Sequence, residues 1–157
     1  MRSKLLIAGA AVLAAFGVVQ LVQPERTNPP HLQGSSFAAL AGVPAPVAAS
    51  VQRACGDCHS NRTVWPWYSK VSPVSWLVAK DVQRGRNYLN LSEWNLYSGE
   101  MSRLRLGEMC EVVKAGRMPL PQYTFLHPDA KLSAAEVSAL CATPQPTASS
   151  TLNHRTD

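Results

Sequence analysis

Residues 53–69, RACGDCHSNRTVWPWYS, contain two cysteines and a histidine in the spacing C-x-x-C-H, followed directly by a dense group of aromatic residues. Three kinds of site use cysteines spaced this closely: a redox-active disulfide, a structural zinc site and a site where haem is attached covalently. Each kind requires a different context elsewhere in the chain. The rest of the sequence can therefore distinguish between them.

The context disfavours a redox disulfide and a zinc site. A thioredoxin-like pair lies at the start of a helix in a βαβ unit, where the helix dipole lowers the pKa of a thiol. Here Val51, Ala54 and Cys58 recur at helical spacing, so the predicted helix ends in the motif, and no strand pattern precedes it. Structural zinc needs four ligands, usually in two close pairs, but Cys110 and Cys141 lie far apart in the sequence.

C-x-x-C-H is the signature of covalent c-type haem attachment. The two thiols add across the two vinyl groups of one haem, so they must lie about one helical turn apart, and the following imidazole binds the iron. The sequence therefore predicts one haem c per chain, bound covalently through Cys55 and Cys58, with His59 as an iron ligand.

The second axial position of the iron has six candidate ligands: Met101, Met109, Met118, His31, His127 and His154. Met118 is preferred, because it stands in GRMP at 116–119, just past a predicted helix end, in a loop that proline stiffens. His127 ranks second, in another loop before a proline. Met109 is expected to pack in the core, and the histidines of the linker and tail are remote.

Aromatic side chains after the motif are expected to form the wall of the haem pocket; they are Trp65, Trp67, Tyr68 and Trp76. Their N–H and O–H groups could also bind a haem propionate, and simple core packing is the alternative for each of them. Arg62 and Arg86 are both suited to pair with a propionate, and the sequence does not choose between them.

The predicted fold is all-α, with no strand pattern. After the helix that enters the motif, further helices are expected from Ser72-Pro73 to Tyr88, from Ser92 through Trp94, from Leu104 to Gly116, and from a capping box at Ser133 and Glu136. About 100 residues in short helices bury only a modest core, so the haem is expected to fill the centre of a small all-α domain.

The N-terminal segment, residues 1–23, is predicted to be a transmembrane anchor, with a secretory signal as the alternative. Residues 5–22 are apolar except for Gln20 and would span roughly 27 Å as a helix, close to the thickness of a hydrocarbon core. A signal has a shorter apolar region, about 7–15 residues, and a small-x-small cleavage site that is missing after this run. Arg2 and Lys4 would remain in the cytoplasm.

The remaining domain organisation follows from composition. Residues 24–43 form a proline-rich linker that wraps or spaces the domain, residues 44–143 form the haem-binding domain, and residues 144–157 are predicted to be a disordered tail. Cys110 and Cys141 lie on predicted helices and are either a disulfide or two buried thiols, since an exported chain meets an oxidising compartment.

The charge of the chain is too mild for a nucleic-acid-binding protein. Once Arg2 and Lys4 are set aside, basic residues exceed acidic residues by only three. A basic rim facing an acidic partner is conceivable, with ordinary solvated surface as the alternative, at Lys80, Arg84, Arg86, Arg103, Arg105 and Arg117.

Several motifs together resemble the bacterial haem-binding domain family, whose members are exported single-haem c-type proteins with cytochrome-c-like folds. The resemblance rests on NPP at 28–30, CGDCHSN at 55–61, Thr63, WPWYS at 65–69, SPVSW at 72–76, Gly85 and Arg86, LNLSEW at 89–94, GRMP at 116–119, Tyr123 and HPDA at 127–130. It covers about residues 28–142. It implies haem ligation by His59 and supports Met118 opposite; Cys110 and Cys141 are not part of the family pattern.

A six-coordinate His/Met haem has no open iron position and suits electron transfer. The sequence therefore predicts an electron carrier rather than an enzyme: a membrane-tethered monohaem cytochrome that meets redox partner proteins. It would be a single-pass protein of the bacterial inner membrane, with its haem domain in the periplasm. The alternative is a peroxidase-like enzyme or a ligand sensor with an open or displaceable sixth position, where His127 with Asp129 or Arg117 would be the acid–base groups.

Overall fold

The computed structural model describes residues 1–39 and 43–143, and within these ranges the chain is helical with no strand. The predicted all-α fold is therefore confirmed. The predicted tail at 144–157, including His154, lies outside the described residues. The described ranges contain six α-helices: α1 (Arg2–Val19), α2 (Ala45–His59), α3 (Val74–Tyr88), α4 (Gly99–Lys114), α5 (Pro121–Leu126) and α6 (Ala134–Cys141).

Four short 3₁₀ helices connect them: Phe37–Ala39, Trp67–Lys70, Trp94–Leu96 and Pro128–Ala130. The expected helix at Ser92 and Trp94 is only such a turn, and Ser92 does not cap it. The Ser92 hydroxyl instead accepts a hydrogen bond from the Asn61 backbone N–H at 3.0 Å. The short helix α5 was not expected from the sequence, because its six residues are too few to show a helical period.

The core lies where α2, α4, α6 and the segment after α3 meet. Trp94 is its largest fully buried side chain, and it packs edge-on against Phe37 and Tyr97 at centroid distances of 4.8 and 5.3 Å. The α2 residues Val47 and Val51 are buried against this cluster, as their helical spacing predicts. The core is completed by Ala48, Leu89, Leu91, Leu106, Met109 and Leu140.

Helix α1 stands apart from this core. None of its residues is buried, and its mean hydropathy of 1.7 over 18 residues makes it long and apolar enough to cross a membrane. A signal sequence satisfies the same criterion.

The segment that follows α1, residues 20–30, is bound along the domain, and we call it the strap. The Gln20 side chain pairs with the backbone N–H and C=O of Ser72, both at 2.9 Å. The Trp76 indole N–H donates to the Val22 carbonyl oxygen at 2.7 Å. Further along, the Asn28 amide donates to the backbone carbonyl of residue 63. Of the two predicted roles for the linker, wrapping or spacing, the strap performs the first.

The strap also explains why α3 begins one residue later than expected. Pro73 is the flanking residue and Val74 is the first helical residue, with no side-chain cap. The Ser72 hydroxyl, expected to cap the helix, instead donates to the Val22 carbonyl oxygen and shares a hydrogen bond with Ser75.

Helices α2 and α3 approach each other closely at Gly85. A Cβ atom at this position would lie 2.4 Å from the backbone carbonyl oxygen of Cys58, far inside van der Waals contact. Only a residue without a side chain allows this approach, so Gly85 sets the distance between α3 and the end of α2.

Helices α4 and α6 are joined covalently. Cys110 and Cys141 form a disulfide with a Cα–Cα distance of 5.1 Å, which decides between the two predicted states of this pair. Two sequence-based details are also confirmed here. Gly116 ends the α4 region with a φ of +65°, and Ser133 and Glu136 form the capping box of α6.

We expect Gly85→Ala to lower the free energy of unfolding by about 1–3 kcal/mol, because the new methyl group must push α3 away from the Cys58 carbonyl. Denaturant unfolding measures the change. Gly107→Ala is the matched control in the interior of α4, where a Cβ meets nothing within 4 Å, and it should stabilise by about 0.4–1 kcal/mol. Equal effects of the two variants would contradict the close approach.

We expect removal of the disulfide in the Cys110→Ala/Cys141→Ala double variant to destabilise the protein by about 3–4 kcal/mol, because the unfolded chain regains the entropy of a 31-residue loop. Mass spectrometry should show a gain of two hydrogens when the wild type is reduced after unfolding. An unchanged mass would show two free thiols instead.

Candidate functional site

The last turn of α2 carries Cys55, Cys58 and His59. The two cysteines stand three positions apart, so their side chains project from the same face of the helix. Both are free thiols and are partly buried. The sequence places them here because Val51 and Ala54, on the preceding turns of α2, are buried and hold the helix against the domain.

A cavity of about 350 Å³ opens beside this turn. Its walls come from α2, α3 and α4, from the loop after α4 and from α5, and they are mostly apolar. The lining residues are Ala54, Cys55, Cys58, His59, Asp81, Arg84, Gly85, Tyr88, Leu89, Arg105, Glu108, Met109, Val112, Val113, Met118, Pro119, Leu120 and Tyr123. The structure thus brings the whole motif and Met118 to one apolar space.

The His59 imidazole is oriented by the backbone of the segment after α3. Its Nδ1 lies 3.2 Å from the carbonyl oxygen of Leu89, which can only accept, so Nδ1 carries the proton and Nε2 keeps a free lone pair. Burial lowers the pKa of His59, which favours the neutral ring. A neutral imidazole fixed through one nitrogen is the form that binds a metal through the other.

The thiols of the motif are held in their protonated form. Burial, with the neighbouring Cys58, raises the pKa of Cys55 to about 12. Burial and the adjacent Asp57 carboxylate raise the pKa of Cys58 to about 11. A redox-active pair needs a thiol of lowered pKa, so the site is unsuited to thioredoxin-like chemistry. Nor does any group of three His, Cys, Asp or Glu residues within 1–39 and 43–143 form a metal site, which disfavours zinc.

Two of the predicted iron-ligand candidates besides His59 line the cavity, Met118 and Met109. Met118 stands in the loop after α4, whereas Met109 is buried within α4 as part of the core cluster. Met101 and His31 do not line the cavity, and His31 accepts a hydrogen bond from Arg62. His127 does not line it either.

The predicted aromatic wall does not line this cavity; Trp65, Trp67, Tyr68 and Trp76 are all absent from its lining residues. Trp67 is 77% exposed and Trp76 binds the strap. Trp65 lies beneath the Arg86 guanidinium, and Tyr68 binds His127 through its hydroxyl at 2.8 Å. The aromatic side chains that do line the cavity are Tyr88 and Tyr123. Tyr88 follows Arg84, which also lines the cavity, by one helical turn on α3. This helical spacing was the signal in the sequence that the two side chains share a face of α3.

Tyr123 is held by the motif itself. Its hydroxyl donates to the Asp57 carboxylate at 2.7 Å, and its ring stacks on His127 at a centroid distance of 4.5 Å. Burial, together with the hydrogen bond to Asp57, raises the pKa of Tyr123. Asp57, the second variable residue of CGDCH, therefore fixes α5 against the end of α2.

The predicted propionate partners also need correction. Arg86 is occupied elsewhere, with hydrogen bonds to the carbonyl oxygens of Ser60 and Thr27 and to the side chains of Asn28 and Thr63. Arg62 binds His31. Neither of these arginines lines the cavity.

The arginines at the cavity are Arg84 and Arg105. Arg105 pairs with Glu108 through Nη1 at 2.8 Å and lies over the Tyr88 ring, but its buried Nε has no partner among the described residues. A buried donor without a partner costs free energy, so an anionic acceptor is expected at this edge of the cavity.

These features fit a haem. The apolar walls suit the porphyrin, and the two neighbouring thiols match its two vinyl groups. His59 offers a free Nε2 and Met118 offers a thioether as iron ligands. The Nε–H of Arg105 offers a hydrogen-bond donor for a propionate.

A family model described as a haem-binding domain matches residues 14–143. No curated protein and no solved structure gives a significant match to the chain. Because the family match covers most of the chain and every residue of the cavity, the protein belongs to the haem-binding domain family.

Proposed function

We propose that the protein is a membrane-tethered monohaem c-type cytochrome of the cell envelope, which transfers electrons through an iron ligated by His59 and Met118. One observation carries the proposal: the complete C-x-x-C-H motif and the loop methionine line the same apolar cavity. The family match supports haem as the ligand of this cavity.

Cys55 and Cys58 would hold the haem covalently. Each thiol would add across one vinyl group, with its sulfur and its hydrogen going to the two vinyl carbons, so that a thioether holds the haem. The thiols suit this role because they are unpaired and project from one face of α2 into the cavity. The Nε–H of Arg105, which has no partner among the described residues, would donate a hydrogen bond to a propionate at the rim.

His59 and Met118 would hold the iron as its two protein ligands. A bound haem supplies one-electron redox chemistry, and methionine ligation raises its potential. The hydrogen bond from His59 to Leu89 keeps Nε2 directed away from the backbone, so the ligand is preorganised. Electron transfer needs no substrate position at the iron, which agrees with a cavity that offers both an imidazole and a thioether.

An enzyme would instead need acid–base groups beside an open iron position. The predicted group, His127, is bound to Tyr68 and stacked on Tyr123, outside the cavity lining. This arrangement supports the carrier over the peroxidase-like or sensor alternative.

Helix α1 and the disulfide support a location in the cell envelope. Helix α1 can span a bilayer, and Arg2 and Lys4 at its start favour a cytoplasmic N-terminus under the positive-inside rule. The Cys110–Cys141 disulfide is typical of an oxidising compartment. We therefore place the haem domain in the bacterial periplasm on a single-pass inner-membrane anchor, where redox partner proteins would meet it.

Haem should remain attached to the protein through denaturing electrophoresis when the chain is matured in a bacterial envelope, because two thioether bonds survive unfolding. Haem staining of the protein band measures this. The Cys55→Ala/Cys58→Ala variant is the control and should lose the stain. Haem in the dye front, with both wild-type thiols still alkylatable, would contradict covalent attachment.

Met118→Ala should open the sixth position. The ferrous wild type should be low-spin and slow to bind carbon monoxide, since the thioether must first leave, whereas the variant should bind carbon monoxide rapidly and have a lower potential. Absorption spectra and stopped-flow mixing measure both properties.

Met109→Ala is the matched control, because Met109 also lines the cavity. It should keep the low-spin spectrum and cost only packing, about 2–5 kcal/mol. If Met109→Ala or His127→Ala opened the iron and Met118→Ala did not, the ligand assignment would be wrong. Rapid carbon monoxide binding by the wild type would favour the enzyme or sensor.

A further inference from the structure

Four apolar side chains are exposed around the start of α3 and the preceding 3₁₀ helix, and we call them the aromatic face. They are Trp67 (77% exposed), Val74 (43%), Trp76 (40%) and Leu77 (52%). None of them lines the cavity. Exposed apolar groups concentrated in one region of a small domain generally mark a contact surface.

The aromatic face lies immediately beside the end of α1. Gln20, the first residue after this helix, holds both backbone polar groups of Ser72, two residues before Val74. The indole of Trp76 itself binds the Val22 carbonyl oxygen. These bonds connect the aromatic face to the chain within three residues of the apolar helix, so a bilayer spanned by α1 would end close to the face.

The residue types match the interface of a bilayer. Tryptophan is enriched at the level of the lipid headgroups, where its ring is apolar and its N–H is polar. Two exposed lysines, Lys70 at the end of the 3₁₀ helix and Lys80 one turn beyond Trp76 and Leu77, flank the face. A positive charge beside a lipid headgroup layer is attracted to the lipid phosphates, so these two lysines add to the match.

We propose that the aromatic face rests in the headgroup layer of the outer leaflet of the membrane that α1 spans, so that the haem domain is held on the lipid surface in one orientation. This inference rests on the proposed anchor, and it adds a lipid-binding surface to it. The occupant is the bilayer rather than a second protein, because the strap fixes the face beside the point where the chain leaves the apolar helix.

The test uses full-length, haem-loaded protein in lipid nanodiscs that contain a phospholipid with a diazirine on its acyl chain close to the glycerol. After irradiation, peptide mass spectrometry locates the residues that were labelled. We expect labels in α1 and also at Trp67 and Leu77. Leu104 and Phe125, which are 56% and 82% exposed on other helices, serve as internal controls and should remain unlabelled.

The outcomes separate the two proposals. Labels in α1 alone would overturn the lipid-binding face and leave the anchor standing. Labels in neither region would overturn the anchor and, with it, this inference. Labelling of Phe125 as strong as that of Trp67 would show non-specific contact and would also overturn the face.

Two substitutions of Trp67 test whether its aromatic ring is responsible for the contact with lipid. Trp67→Glu should reduce labelling of Leu77 several-fold, because a carboxylate loses hydration when it enters the partly apolar headgroup region, while Trp67→Tyr should retain it. Phe125→Glu is the matched control, since it also replaces an aromatic ring that is more than three-quarters exposed, and it should leave Leu77 labelling unchanged. Unaltered haem spectra confirm the fold of each variant. Unchanged Leu77 labelling in Trp67→Glu would overturn the proposal.

Discussion

The contact between the end of α2 and the backbone of α3 is the constraint on which the rest of the site depends. Gly85 lets α3 approach the Cys58 carbonyl, and the chain leaving α3 then presents the Leu89 carbonyl to Nδ1 of His59. The same segment is anchored a second time, because the Leu91 N–H donates to the His59 carbonyl oxygen at 2.7 Å. A motif that is only five residues long thereby obtains a fixed ring orientation from a helix remote in sequence.

The cavity affects the stability of the fold as well as its chemistry. At about 24 cal/mol per Å³, a cavity of about 350 Å³ left empty would cost up to roughly 8 kcal/mol, an upper bound because one side is open. That is comparable with the whole stability of a domain, about 5–15 kcal/mol. The bound group therefore belongs to the core of the fold, and the disulfide between α4 and α6 holds the wall that the core cluster alone would support weakly.

The motif, the helix that carries it and the capping box of α6 could be predicted from the sequence, because each depends on contacts within a few residues. The residues that line the cavity could not be predicted, because their positions depend on how the helices pack together. The tryptophans beside CGDCH were expected in the wall on the strength of proximity along the chain, but the turn at 67–70 directs Trp67 to solvent. Similarly, Arg86 and Arg105 look equivalent in the sequence. Only the fold shows that the Arg86 guanidinium is hydrogen-bonded to the strap, whereas the Nε–H of Arg105 has no partner among the described residues.

The strap changes how such a protein would encounter other molecules. A free linker of residues 24–43 would have a root-mean-square span of about 25 Å and would let the domain sample a hemisphere above the bilayer. Hydrogen bonds from Gln20, Asn28 and Arg86 remove most of that freedom. Under the function proposed above, collisions with other membrane-bound proteins would become a search by lateral diffusion in two dimensions, at a fixed height, and only a partner whose own redox centre lies at a matching height could exchange electrons efficiently.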